Sequence, residues 1–493
     1  MTDANDILRR GGPDGLRKAI ETAEACDIVQ MKLELGSDQE VAECVARDLK
    51  VKFNQVVFSE GDVYVWATTH WVKLTEREFH VFLKRYDGCE YRTDSGKDAR
   101  YKLTDTKRKS VMKLLELELS EPEFFAYASI GVACATGFIS INEHGEPELV
   151  PHNPDQRQRH FIDVAWVNEK FGPIPAESLL WRLCEGCFGE DTEYSLKVDL
   201  MGELIGAALF ALSTRIPSPK TIILLGETAA NGKSQWLALK RSLLPKHAVS
   251  SVAPSEMDNQ QRRAQLSGVW LNTADELGHE AITSDKFKAV VSGDRVSGKV
   301  VYREPFEFNP EALHVFATNV LPTFKDGMDR GVRRRLQVLT FARRIPSSER
   351  IVDIGRKTAT NEAELLLAFA VDGACRLMKQ RHFTRTHSGQ RRLSEWIVES
   401  DLIAAFFEDE DVVEITGQKS DRYNAKDVYR VFRAWAQDVG VSDSRVPTQS
   451  QFTRRAKAHQ IDGLSISRTG KSGNHFYGIK LPPPRSQDRR GRR

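Results

Sequence analysis

Apolar residues along this chain keep different periods in different stretches, and the changes of period divide it. Residues 1–30 are polar and helical: Gly11-Gly12-Pro13-Asp14 starts a helix, with Leu16, Ile20 and Ala23 at helical spacing. Residues 31–195 mix short helices with alternating strands. Val56-Val57-Phe58 and Val63-Tyr64-Val65-Trp66 flank Glu60-Gly61-Asp62, which predicts a hairpin. Phe138-Ile139-Ser140-Ile141 and Leu149-Val150 flank Asn142-Glu143-His144-Gly145, which predicts a second.

Residues 196–345 change character. Ile222-Ile223-Leu224-Leu225, Val269-Trp270-Leu271, Leu313-His314-Val315-Phe316-Ala317 and Leu336-Gln337-Val338-Leu339 are near-continuous apolar runs, several separated by helical patterns. Such runs imply a sheet buried on both faces, the α/β layer architecture. Residues 346–415 read as a helical bundle or linker, notably Glu362 to Met378. Residues 416–482 form a small basic module. There, Val428, Val431, Phe432 and Trp435 share one helix face, and a second helix after Thr448 carries Arg454, Arg455 and Lys457. Two strands, around Ser465 and Tyr477, then enclose a polar tip with Lys471. Helix, basic helix and hairpin together make a winged-helix pattern, able to meet phosphates and a groove or to bind protein instead. Residues 483–493 are expected to be a disordered basic tail.

Composition adds limits. The chain has 493 residues, 40% hydrophobic and 28% charged, and a net charge of +2, so nucleic acid would have to be met by local basic clusters. No stretch reaches the ~20 apolar residues that span a bilayer, and the acidic start lacks a secretory apolar core. A cytoplasmic protein without membrane contact is the expectation. The seven cysteines are scattered. Cys184-x-x-Cys187 has no second ligand pair nearby, so it reads as a helix with partly buried thiols in preference to a zinc site.

The chemistry concentrates at Gly226-Glu-Thr-Ala-Ala-Asn231-Gly232-Lys233-Ser234, directly after an apolar strand and before a helical run. Strand, glycine-rich loop and helix is the context a phosphate loop needs. Backbone N–H groups of the loop and helix start would cradle the phosphates of ATP. Lys233 would add a point charge, and the Ser234 hydroxyl would ligate Mg2+. Five residues, one more than usual, separate Gly226 from Gly232-Lys233-Ser234, so either the loop carries an extra residue or Glu227 takes the first position. Val269 to Ala274 predicts a strand ending in Asp275-Glu276. One acid is expected to hold Mg2+ (Asp275) and the other to orient the attacking water (Glu276).

In order along the chain, these blocks resemble superfamily 3 helicases of the phage/plasmid and poxvirus-type primase–helicase branch. The blocks are Asn231-Gly232-Lys233-Ser234, Lys288 to Gly293-Asp294, Lys299, Pro305 to Pro310, Phe316-Ala-Thr-Asn319, Asp329 and Arg334-Arg335-Leu336. The resemblance implies an AAA+-like ATPase core at 196–345, preceded by an α+β accessory domain and followed by a winged helix. It makes Asn319 the polar sensor of the γ-phosphate, and Arg334 or Arg335 an arginine finger supplied to the next subunit of a hexameric ring. Arg333-Arg334-Arg335 also reads as a solvated basic turn or a DNA contact. Gly293 to Tyr302 reads independently as a hairpin turning at Ser297-Gly298. In the family such a hairpin grips one DNA strand, which makes Lys299 and Arg303 candidates; an edge hairpin guarded by lysine is the plain alternative. Residues 1–30 resemble the end of a primase domain, which suggests a separate primase as partner. The function implied is an ATP-dependent DNA helicase acting on single-stranded and forked DNA, with Mg2+ as cofactor. The alternatives are an ATP-switched origin-binding or loader protein that does not unwind, and a nucleotide-driven regulatory or defence ATPase acting on protein.

Overall fold

The computed structural model describes residues 32–226, 228–277, 282–301, 305–324, 328–443, 446–459, 461–468 and 473–481. The expectations for residues 1–30, Arg303, Lys471 and the basic tail lie outside them.

Two compact units divide the chain. One holds residues up to Ser129 together with His152–His160; the other holds Ile130–Pro151 and everything from Phe161 onward. The stretch 31–195, read from sequence as one accessory domain, is therefore shared between them. The reason is apolar. Strands Gly131–Cys134, Gly137–Ile141 and Phe161–Ile162 send Val132, Cys134, Ile139 and Ile162 into the same core as the long helix Tyr194–Leu209.

In the first unit, the hairpin of Val56–Ser59 and Asp62–Trp66 closes through Glu60 and Gly61, both at positive φ. Positive φ at both central positions is what a two-residue hairpin turn of type I′ demands. Strand Trp71–Lys73 extends it, and helix Asp38–Phe53 packs Val41, Val45 and Leu49 inward.

The second unit is built on a five-stranded, wholly parallel sheet. Its strands are β1 (Thr221–Leu225), β2 (Val249–Ser250), β3 (Leu271–Ala274), β4 (Leu313–Thr318) and β5 (Leu336–Thr340), in spatial order β2–β3–β4–β1–β5. Parallel neighbours require crossovers. Helices α1 (Lys233–Leu243) and α2 (Ser284–Ser292) lie in two of them. Successive β1 residues alternate between two cores. Ile222 and Leu224 face Trp236, Leu237 and the helices around 194–209 and 363–380; Ile223 and Leu225 face Phe287, Val290, Phe316 and Trp396. That is why the strand reads as an unbroken apolar run. Three of the runs read from sequence coincide with β1, β4 and β5; the fourth, Val269 to Leu271, leads into β3, which starts only at Leu271, and the helix read from Glu362 is Ala363–Gln380.

Downstream, a third apolar core forms around Phe406, Phe432 and Phe452. It joins α4 (Leu402–Glu408), α5 (Ala425–Asp438), α6 (Gln449–Ala458) and the strands Arg422–Asn424, Ser465–Arg468 and Asn474–Tyr477. This core takes in α4 and strand Glu414–Ile415, so the module starts upstream of residue 416. Glu414–Ile415 pairs with Ile479–Lys480, and Phe406 contacts Phe432, Trp435 and Phe452 edge-on.

Candidate functional site

β1 delivers the glycine-rich loop to the carboxyl edge of the sheet, where loops of open parallel sheets collect ligands. Gly226 N–H donates to the Thr318 carbonyl at the end of β4 (3.2 Å). The loop then turns through Ala230 (φ 61°) and Gly232 (φ 90°) into α1 at Lys233. Any Cβ at Gly232 would be strained by that φ and would sit 2.2 Å from Cys187 Sγ. A Cβ at Gly226 would lie 2.1 Å from Asn231 Nδ2 and 2.5 Å from Lys233 Nζ. Asn231 Nδ2 donates to the Thr228 carbonyl (2.6 Å) and so shapes the bend. Among the described residues no side chain caps α1; Gln235 N–H turns back to the Gly232 carbonyl (3.0 Å), and a helix start without a side-chain cap is the arrangement that receives an anion.

Lys233 folds back over this bend. Its Nζ donates to the Gly226 carbonyl (2.7 Å) and to Asn319 Oδ1 (3.0 Å), just past the end of β4. Burial pushes the ammonium below its ordinary pKa, and among the described residues no carboxylate pairs with it. Its partners among the described residues are neutral oxygens, which leave the cation's charge for a ligand. Ser234, on the first turn of α1, is exposed.

Register carries the acidic pair to the same edge. Ala274 pairs with Phe316 and Phe316 with Ile223, so Asp275 and Glu276 leave β3 toward the side where Gly226 and Asn319 stand. Both are exposed. Asp275 is held by Arg241 of α1 in a two-pronged pair (2.9 and 2.9 Å), and Arg241 Nε also donates to Thr273 Oγ1 (2.8 Å). Sequence reasoning missed Arg241: a lone arginine on a helix carries no motif. The hard oxygen donors of Ser234 and Asp275 suit Mg2+, which keeps several waters and takes few protein ligands. Among the described residues, no group of three or more His, Cys, Asp or Glu side chains is placed to hold a metal ion.

The arginine pair lies at the other edge. The Arg335 carbonyl accepts from Thr221 N–H (2.7 Å), where β1 begins, roughly 16 Å of strand from the glycine-rich loop. Arg335 is engaged, donating from Nε to Ser292 Oγ (2.8 Å) and from Nη1 to the Gly331 carbonyl (2.7 Å). Arg334 is exposed. Neither shares an edge with Lys233 of its own chain.

The hairpin after α2 exists but turns elsewhere. Val296–Gly298 pairs with Phe306–Phe308, so Ser297 and Gly298 are paired strand residues and the tip starts at Lys299. Gly298 is small for packing: a Cβ there would stand 3.0 Å from Ala264 Cα. Lys299, Val300 and Val301 are exposed at the tip. Behind it, buried Arg263 donates to the carbonyls of Met257 (2.7 Å), Asp258 (2.7 Å) and Ser297 (3.1 Å), a clamp the sequence did not signal. In the C-terminal module, Arg454, Arg455 and Lys457 are exposed on α6, opposite its buried Phe452 and Ala456. Cys184 and Cys187 are buried on helix Leu179–Phe188, and burial pushes the Cys187 thiol up to about 12.

By fold this is a mixed α/β protein with a parallel sheet whose polar residues gather at the carboxyl edge. A family of unknown function, DUF5906, matches residues 224–335, from β1 to the arginine pair. A protein of Acanthamoeba polyphaga mimivirus, named as a putative helicase, is 28% identical over 155 residues. That match takes in 29% of this chain and only 15% of the viral protein. Apo structures of the NrS-1 C-terminal region are also similar. One has a TM-score of 0.42 and 10% identity over 88% of this chain and 99% of its own; another has 0.41 and 11% over 88% and 98%. No helix among the described residues is long and apolar enough to cross a membrane.

Proposed function

We propose that this chain is an ATP-dependent DNA helicase of the superfamily 3 type, working as a ring, with its phosphate-binding loop at Gly226–Ser234. One observation carries the reading: the Lys233 ammonium, free of any carboxylate among the described residues, is aimed by Gly226 and Asn319 across an uncapped helix start. There it would meet the terminal phosphates of ATP. Asn319 would hold the γ-phosphate or the attacking water, and Glu276 would orient that water. Ser234 and Asp275 would hold Mg2+, which supplies charge neutralisation between the phosphates when bound.

Arg334 is exposed at the opposite edge, so as a finger it would need the site of another copy. That requirement supports a ring in which finger and loop meet between neighbours. Lys299 on the hairpin would contact the DNA strand in the channel. The C-terminal module would act as a winged helix, with Arg454 and Arg455 on phosphates. Similarity of part of the chain to a viral protein named as a helicase favours this reading.

The test is ATP hydrolysis and strand separation on a forked duplex. Lys233→Ala is expected to lose about 10²–10³-fold in turnover. Lys299→Ala is expected to keep ATP hydrolysis and lose unwinding. Normal turnover in Lys233→Ala would defeat the assignment, and a wild type that hydrolyses ATP without separating strands would favour an ATP-switched loader.

A further inference from the structure

The turn that carries Arg334 is tied at two points to the helix that feeds the hairpin. Helix α3 (Arg330–Arg333) starts at Asp329, whose Oδ1 caps it by accepting from Val332 N–H (2.7 Å). The other oxygen, Oδ2, accepts from Lys288 Nζ on α2 (2.9 Å). Six residues past the cap, Arg335 Nε donates to Ser292 Oγ, the last residue of α2 (2.8 Å). Lys288 and Ser292 are four apart and so share one face of α2. Arg334 lies in the short stretch between the two anchors.

The charges agree with this geometry. Hydrogen bonding to Asp329 raises Lys288 above its ordinary value. Burial pushes Asp329 up, but the Lys288 bond and charge, together with the Val332 and Gly331 N–H groups, outweigh it and hold the carboxyl below its ordinary value. Phe287 and Val290 of α2 share a core with Met328 and Val332 behind these polar contacts. On the other flank Arg333 pairs with Glu408 of α4, so α3 is held between α2 and the C-terminal module.

Only Gly293, Asp294 and Arg295 separate Ser292 from the hairpin strand Val296–Gly298. A displacement of the hairpin is therefore delivered to α2. Two anchors on one helix face resist rotation as well as sliding, so α2 carries α3 and Arg334 with it.

We infer that Lys288 and Ser292 are positioning residues that couple DNA held on the hairpin to the reach of Arg334 into the neighbouring copy's ATP site. This inference rests on the proposed roles of hairpin and finger. It assigns Arg335 to the strap and Arg334 to the finger, and it makes hydrolysis in one subunit respond to DNA gripped by the next.

The experiment compares ATP turnover with and without saturating oligothymidylate, alongside anisotropy titrations of the same DNA. In Lys288→Ala/Ser292→Ala, DNA binding stays at the wild-type level while the ratio of stimulated to basal turnover falls about fivefold or more, the usual scale of coupling between sites. Lys288→Arg/Ser292→Thr restores the ratio. The ion pair is partly exposed, so its loss should cost little stability. Ser292→Ala alone, lacking one hydroxyl, gives a partial fall. A wild-type ratio in the double variant, or a conservative pair that restores nothing, overturns the coupling and leaves the helicase reading intact. A wild type whose turnover ignores DNA overturns the helicase reading itself.

Discussion

Two lysines on α1 show what burial does to a cation with and without partners. Lys233 keeps two oxygen acceptors. Lys240, two turns on, is 1% exposed, and its Nζ has no hydrogen-bond partner among the described residues. Burial pushes it from 10.5 down to about 7. Between those values the unfolded chain binds the proton more tightly than the folded one, so stability rises with pH across that window. Lys240→Met removes this dependence. The variant should be more stable at pH 7 by about 1–3 kcal/mol, discounted from ~1.4 kcal/mol per pKa unit, with the gain shrinking toward pH 10. Thermal melts at pH 7 and 9.5 check it, and a gain that ignores pH contradicts it. Lys233 and the acidic pair were legible in the sequence because each follows an apolar run, whereas Asn319 came from the family resemblance. Arg241 and Lys240 were not: nothing local distinguishes a helix residue that meets a distant strand or a dry pocket from one facing water.

Among elements, the hairpin is where sequence reasoning went astray. Ser297-Gly298 reads as a turn because glycine favours turns, yet here glycine answers a close approach of Ala264 inside a paired strand. The clamp behind it, Arg263, spends its guanidinium on three carbonyls, and burial holds it below its ordinary pKa. Arg263→Ala strips donors from those carbonyls. A buried acceptor left unmade costs about 1–3 kcal/mol, so the melting temperature should drop. Trypsin should also cut at Lys299 faster than in the wild type. An unchanged rate of cutting there, with the fold intact, would show that Arg263 does not hold the hairpin. The strands of the sheet were read more easily. β1, β4 and β5 are buried on both faces and announce themselves as apolar runs, whereas β2, a two-residue edge strand, gives no such signal.

For the whole molecule, the order β2–β3–β4–β1–β5 places glycine-rich loop, acidic pair and Asn319 on one edge of the sheet and the arginine pair on the other. Linear order places Arg334 only 15 residues after Asn319, and the sequence could not say that β5 runs from the far edge. Spatial separation of this kind is what a site shared between copies needs. The proposed motor first needs phosphates to seat at the loop. Calorimetric titration of ATP with Mg2+ measures that most directly. The expected result is one site per chain in the wild type, binding that requires Mg2+ for full affinity, and marked weakening in Lys233→Ala and Asn319→Ala. ATP that fails to bind, or that binds all three proteins equally, would contradict it.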